Sequence, residues 1–205
     1  MDKKPYHHGD LKNSLIQAGK RILAKEGVNG LSLRKVARQA GVSHAAPYAH
    51  FTDKQALIAA ISTDGFQQLH DKLVATILRY RGDPHCQLIE AAWTYIQFAV
   101  DEPDTFKIMF SGVLERENDY PAFVDISRQS FGLVEQIVAD CQQAGVLSPG
   151  AADATAVIVW GLVHGIISLV TMGQVSHTIL DQYDLRQMII FGMNQITLVS
   201  YLQVD

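Results

Sequence analysis

The chain has 205 residues, 48 % of them apolar, enough to fill an interior without covalent staples. Its two cysteines, Cys86 and Cys141, stand far apart with no CxxC motif, which argues against a zinc site or a disulfide framework and for reduced thiols in a cytoplasmic protein with no metal and no cofactor. Formal charge is −4 overall, yet residues 1–55 hold ten basic and four acidic groups, a net +6 that leaves −10 on the remainder; one end is suited to meet a polyanion and the body is not.

The opening MDKKPYHHGD lacks the apolar run of a signal peptide, and its acidic residues do not suit a transit peptide, so no export is expected. Lys3, Lys4, His7 and His8 make a basic arm there. Helical periodicity then dominates and no segment alternates like a strand, which predicts an all-α fold. A first helix runs from an Asp10 cap to Glu26, with Leu11, Leu15, Ile16, Ala18, Ile22 and Leu23 inward, Lys12, Lys20 and Lys25 on the opposite face, and Gly27 as its stop. Ser32 caps a second helix whose Leu33, Val36, Ala37 and Ala40 form one stripe, ended by Gly41. Ser43 caps a third helix of about two turns before Phe51, a core residue.

Helix, glycine turn, short helix is the helix-turn-helix arrangement, whose second helix enters the major groove by its leading end. Small residues suit that end. Ala45 and Ala46 can touch thymine methyls, and His44 can hydrogen-bond a base or a phosphate. Pro47 falls in the first turn, where a missing N–H costs least, and it aims Tyr48.

Residues 10–60 resemble the N-terminal domain of TetR/AcrR-type transcriptional regulators through LSLRKVARQAGVS, YAHF and the following Lys54. That resemblance implies a three-helix DNA-binding domain over residues 1–55, with phosphate contacts from Ser32, Ser43, Tyr48, His50 and Lys54. The chain departs from the family's usual Gly-Thr-Leu-Tyr by placing Ala45, Ala46 and Pro47 before Tyr48, and it has Ala49 where a polar residue is frequent.

Thr52 and Gln55 have capping-box spacing and open a long helix through Arg79, with Leu57, Ile61, Phe66, Leu69, Leu73 and Ile77 inward. This helix starts a second domain, residues 56–205, and joins it directly to the head. Pro84, Pro103, Pro121 and Pro149 then mark new starts, giving helices over 84–101, 103–111, 121–144 and 150–172, before a last one over 184–202.

The run ATAVIVWGLVHGIISLVTMG, residues 154–173, has no formal charge and is long enough to span a membrane. His164 at its middle and the lack of close flanking Lys or Arg argue instead for a buried helix at a subunit interface. Gly161 and Gly165 have the spacing that lets helices approach closely, and Leu185, Met188, Ile189, Gly192, Ile196 and Val199 form a stripe on the last helix that needs a partner. The Trp160, His164, Gly165 pattern resembles the WHG-type C-terminal domain of a subset of TetR-like regulators, whose last two helices pair with those of a second copy in a four-helix bundle.

The resemblance also implies a small-molecule site in the body. The residues available for an apolar pocket are Phe66, Trp93, Phe98, Phe106, Met109, Phe110, Phe131 and Trp160, with His164 able to orient a ligand. Trp93, Phe106, Met109, Phe110, Trp160 and His164 are the candidate ligand residues. Together these readings predict a homodimeric, ligand-responsive regulator, a repressor that binds a pseudo-palindromic operator in double-stranded DNA and is released by a small apolar molecule. Two rivals are a helical binding module without DNA binding and a small hydrolase using His164 and Ser168; the hydrolase lacks an acidic residue to orient the histidine and a nucleophile elbow.

Overall fold

A computed structural model describes residues 11–199, so the expected Asp10 cap, the basic arm and the far end of the last helix lie outside the described residues. The chain is all-α. Its helices are α1 (Leu11–Gly30), α2 (Leu33–Ala40), α3 (Lys54–Arg79), α4 (Pro84–Asp101), α5 (Pro103–Met109), α6 (Pro121–Gln143), α7 (Ala152–Thr171), α8 (His177–Leu180) and α9 (Leu185–Asn194), with single 3-10 turns at Ala46–Ala49 and Glu117–Asp119.

Two compact units form. Among the described residues, the first comprises residues 11–67 with Glu102–Ser127; the second comprises Gln68–Asp101 with residues 128–199. The division in space therefore runs through α3, and a segment more than 100 residues along the chain belongs to the first unit. The physical reason lies in the core. Ile108 of α5 is 5 % exposed within a cluster containing Leu15, Ile22, Val36, Phe51 and Leu57, and Val113 and Leu114 pack against it. Gln55 then donates from Nε2 to the Val113 carbonyl at 3.2 Å.

Gly27 breaks α1 with φ 65° and ψ −173°, a conformation glycine reaches without steric penalty. Lys20 is not on a free solvated face: its ammonium pairs with Asp64 at 2.7 Å and is largely covered. The cap of α3 also differs from expectation. Asp53 Oδ1 accepts the Ala56 N–H at 2.8 Å, so the carboxylate takes the role expected of Thr52, while Gln55 is drawn away to Val113.

In the second unit, α4 packs against α7 and α9, and α7 against α9. Pro84, Pro103 and Pro121 each begin a helix. Pro149 does not, because Ala151 is still extended (φ −69°, ψ 112°) and α7 starts at Ala152. The last helix is shorter than its apolar stripe suggests. It ends at Asn194, and Leu198 N–H turns back to the Val146 carbonyl at 2.8 Å. Cys141 is buried, its thiol against the Pro84 carbonyl and its pKa pushed up to about 12 by burial, so it is inert at neutral pH.

Candidate functional site

α2 packs against the turn that follows it, and most of the helix-turn-helix residues are exposed along this ridge. Ser32 Oγ accepts the Lys35 N–H at 3.3 Å, starting α2. Gly41 ends it in the left-handed region (φ 70°), and Gly41 and Val42 donate back to the Arg38 and Ala37 carbonyls. The chain then makes a single 3-10 turn, tighter than the two-turn helix expected. Ser43 does not cap it with its side chain; its carbonyl accepts the Ala46 N–H at 3.0 Å. Pro47 explains the tightness, since its ring lacks an N–H to continue an α-helix and is itself buried.

Ser43, His44, Ala45, Tyr48 and His50 are exposed, Ala46 and Lys54 are half-buried, and Tyr48 shows 55 % of its surface. Phe51, 2 % exposed, anchors the turn below. Arg34 and Arg38 are exposed on α2, whereas Lys35 is held by Glu26, whose carboxyl that contact lowers below the usual range. The ridge is thus cationic, with small side chains at its leading edge.

The six expected ligand residues fall into separate groups. Phe106, Met109 and Phe110 belong to the first unit, where Phe110 stacks edge-on to Phe66 (5.4 Å) and tilts against Phe106 (4.9 Å). Trp93, in the second unit, lies beneath the Arg186 guanidinium at 5.4 Å, and Arg186 is forked onto Glu90 at 2.5 and 3.4 Å. That cluster ties α4 to α9.

Trp160 and His164 meet a residue the sequence did not single out. Trp160 Nε1 donates to Tyr95 Oη at 3.2 Å, and Tyr95 Oη lies 2.7 Å from His164 Nδ1. An indole only donates, so the phenol accepts from Trp160, and the direction of its second hydrogen bond follows the tautomer of His164. Burial lowers the histidine pKa and raises that of the tyrosine, so both stay uncharged at neutral pH. Tyr95, 8 % exposed, and Trp160 line a cavity of about 40 Å3 that is otherwise walled by aliphatic side chains of α3, α4, α6 and α7. The signal for Tyr95 was indirect: a histidine inside an apolar helix requires a polar partner.

The candidate interface residues also divide. Ile189 is 1 % exposed and packs inside the unit, and Gly192 lies against Leu162 and Ile166 of α7. Gly161 is exposed with open space over its Cα, and Leu185, Met188 and Ile196 are half-buried. Beside them Val157, Ile158, Leu169, Met172 and Phe191 each expose half or more of their surface. A groove of about 650 Å3 runs between α7, α8 and α9, lined by Leu169, Met188 and Phe191 among others. By length and composition α7 could cross a membrane, and much of its surface is uncovered in the single chain. Among the described residues no group of three or more His, Cys, Asp or Glu is placed to hold a metal ion.

Comparison with known proteins gives two domain matches. Residues 15–61 match bacterial regulatory proteins of the tetR family, and residues 88–191 match the tetracyclin repressor-like C-terminal domain. The chain is similar to a Bacillus subtilis (strain 168) protein described as an uncharacterized HTH-type transcriptional regulator, YobS: 24 % identity over 111 residues, 54 % of this chain and 57 % of that protein's length, so little more than half of that relative is spanned. A Rhodococcus sp. RHA1 protein of unknown function shares 32 % identity, covers 94 % of this chain and 96 % of its own, and superposes with a TM-score of 0.80. The transcriptional regulator FadR from Bacillus subtilis, solved with stearoyl-CoA, shares the fold at 14 % identity and a TM-score of 0.71, over 89 % of this chain and 95 % of its own.

Proposed function

The chain belongs to the TetR family of bacterial regulatory proteins, with a helix-turn-helix DNA-binding head and a helical C-terminal domain, and on that premise we propose that it is a cytoplasmic, homodimeric repressor released from a pseudo-palindromic operator by a small apolar molecule. The observation that carries the reading is the exposed cationic ridge, where Ser43, His44, Ala45 and Tyr48 stand out from a single turn braced by α2. Phosphates are taken by Ser32, Ser43, Tyr48, His50 and Lys54, which fix register; His44, Ala45 and Ala46 face the bases.

Two copies pair through the uncovered face of α7 and α9, with Gly161 and Gly165 allowing close approach and Leu185, Met188 and Ile196 beside the groove. The heads then meet successive major grooves, about 34–36 Å apart. Because α3 supplies residues to both units, it is the lever by which a ligand in the body changes head spacing. A coupling of about 1–3 kcal/mol suffices for such a switch.

The test starts by selecting DNA sites from a random pool with the purified protein. Removing the Tyr48 ring and the Lys54 charge together should weaken binding to all sequences alike and make the fall of log K with log[salt] shallower by about 1–2. Replacing Ala45 or Ala46 should instead re-rank the selected sites. Unchanged ranking after replacement of His44, Ala45 and Ala46 would show that another segment reads the bases.

A further inference from the structure

The first unit contains a cleft of about 510 Å3, within the size range of small-ligand sites. One face of α3 forms part of it, where Ala56, Ala59, Ala60 and Thr63 follow at helical spacing over about 10 Å. Side chains this small leave the space above them open. Ile16 of α1 and Phe123 of α6, each 6 % exposed, add apolar lining. His50 and Phe51 also line the cleft, so it reaches the turn assigned above to DNA.

Its charges stand on different elements. Lys12 is on α1 and Asp119 on the 3-10 turn ahead of α6; both are exposed, and among the described residues neither has an ion-pair partner. Asp64, also on the lining, is already held by Lys20 at 2.7 Å. A purely anionic ligand meets Lys12 but also the Asp119 carboxylate, and a purely cationic one meets the reverse. A molecule with one charge of each sign at its two ends satisfies both. Neutral polar groups lie between: the Asn13 amide, the Thr63 hydroxyl and the Tyr120 phenol. Thr63 donates to the Ala59 carbonyl at 2.7 Å, and its oxygen can still accept. Partial burial and the Asp53 and Asp119 carboxylates raise the Tyr120 pKa, so its hydroxyl stays protonated and able to donate.

We propose that this cleft binds a short peptide of about three residues with free ends and small apolar side chains, its carboxylate paired with Lys12 and its ammonium with Asp119. Three extended residues span roughly 10 Å, the length of the alanine face, whereas a single amino acid carries both charges on one carbon. The peptide's small side chains lie over Ala56, Ala59 and Ala60, and its amides meet Asn13, Thr63 and Tyr120. Each ion pair faces solvent and contributes a small factor, so selectivity comes from requiring both. This site is additional to the pocket for an apolar molecule in the body and goes beyond the regulator reading.

The experiment titrates the purified full-length protein at low ionic strength with tri-alanine, N-acetyl-tri-alanine and tri-alanine amide, followed by calorimetry. Tri-alanine should saturate one site per chain, and blocking either end should weaken binding about two- to fivefold. Lys12→Gln should erase the penalty of the C-terminal amide and keep that of the acetyl group, and Asp119→Asn should do the opposite, since each cycle isolates one charge pair. Both side chains are exposed, so neither substitution threatens the fold. Ala60→Leu, which fills the cleft from α3, should lower affinity at least about tenfold in protein whose circular dichroism is unchanged. No saturable binding of tri-alanine, equal affinity for free and blocked peptides, or blocking penalties unmoved by Lys12→Gln and Asp119→Asn would each overturn the proposal. Binding to the selected DNA site, measured on the same preparations, separates this from the broader reading. Peptide binding by a protein indifferent to DNA keeps the cleft's ligand and removes the regulatory role, whereas salt-dependent DNA binding without peptide binding does the reverse.

Discussion

His164 occupies the middle of a helix with no formal charge over twenty residues, and that placement has a pH signature. Burial disfavours the imidazolium, so the folded pKa lies below the ordinary value of 6.5. Between the two values the unfolded chain holds a proton that the folded chain does not, and stability rises with pH in that window. The group's contribution is thus complete above about pH 6.5, is lost as pH falls below it, and levels off beneath the folded value. His85 is lowered by burial too, against an opposing Asp83, so wild type alone does not isolate one group. Urea midpoints measured at about pH 7.5 and about pH 5.5 should drop less in His164→Gln than in wild type; equal drops would assign the acid sensitivity elsewhere. The sequence marked His164 as unusual but not its partner. Tyr95 lies in AAWTYIQF, a run that reads as ordinary core, and only the crossing of α4 with α7 brings the two rings together.

At the scale of elements, the start of α3 separates two capping schemes. Thr52 with Gln55 matches the capping-box pattern, but the N–H of Ala56 goes to Asp53. Asp53→Ala should therefore cost about 1 kcal/mol in chemical denaturation, and Thr52→Ala less than about 0.5 kcal/mol. The local pattern was right about a helix start and wrong by one residue, because two adjacent residues can each cap and tertiary demand on Gln55 decides between them. A second pair of substitutions probes helix approach. A Cβ on Gly65 of α3 would sit 2.6 Å from Met109 Sδ and 2.7 Å from Thr105 Cγ2 on α5, whereas one on Gly132 of α6 meets nothing within 4 Å. Gly132→Ala should stabilise by about 0.5–1 kcal/mol through helix propensity. Gly65→Ala gains the same term but loses about 1–3 kcal/mol to overpacking, for a net loss read as a lower Tm. Equal stabilisation by both would mean that α5 does not press on Gly65.

At the scale of the whole chain, charge and motif located the DNA-reading end but not the segment that completes its core. Ile108, Val113 and Leu114 join a cluster whose other members end at Ile61, and helical periodicity reveals an apolar face without saying which distant face it meets. The same limit applied to α9, whose apolar stripe mixed residues turned inward, such as Ile189, with residues left uncovered. What remains uncovered supports the last test. Ile158 is 61 % exposed and Phe191 70 %, both on the helices proposed to pair, and apolar exposure of this kind marks a protein contact surface. In a two-fold interface each residue appears twice, so one substitution to glutamate introduces two charges into the shared face. Ile158→Glu should leave the internal core of the unit intact while converting the dimer to monomer in sedimentation at micromolar concentration. With the heads no longer tethered, the second half-site loses its effective-concentration advantage, and affinity for the full operator should fall at least about a hundredfold. Salt-dependent binding to unrelated DNA should persist, because the cationic ridge of each head is untouched. A dimeric Ile158→Glu protein with unchanged operator affinity would place the pairing surface on another face of the chain.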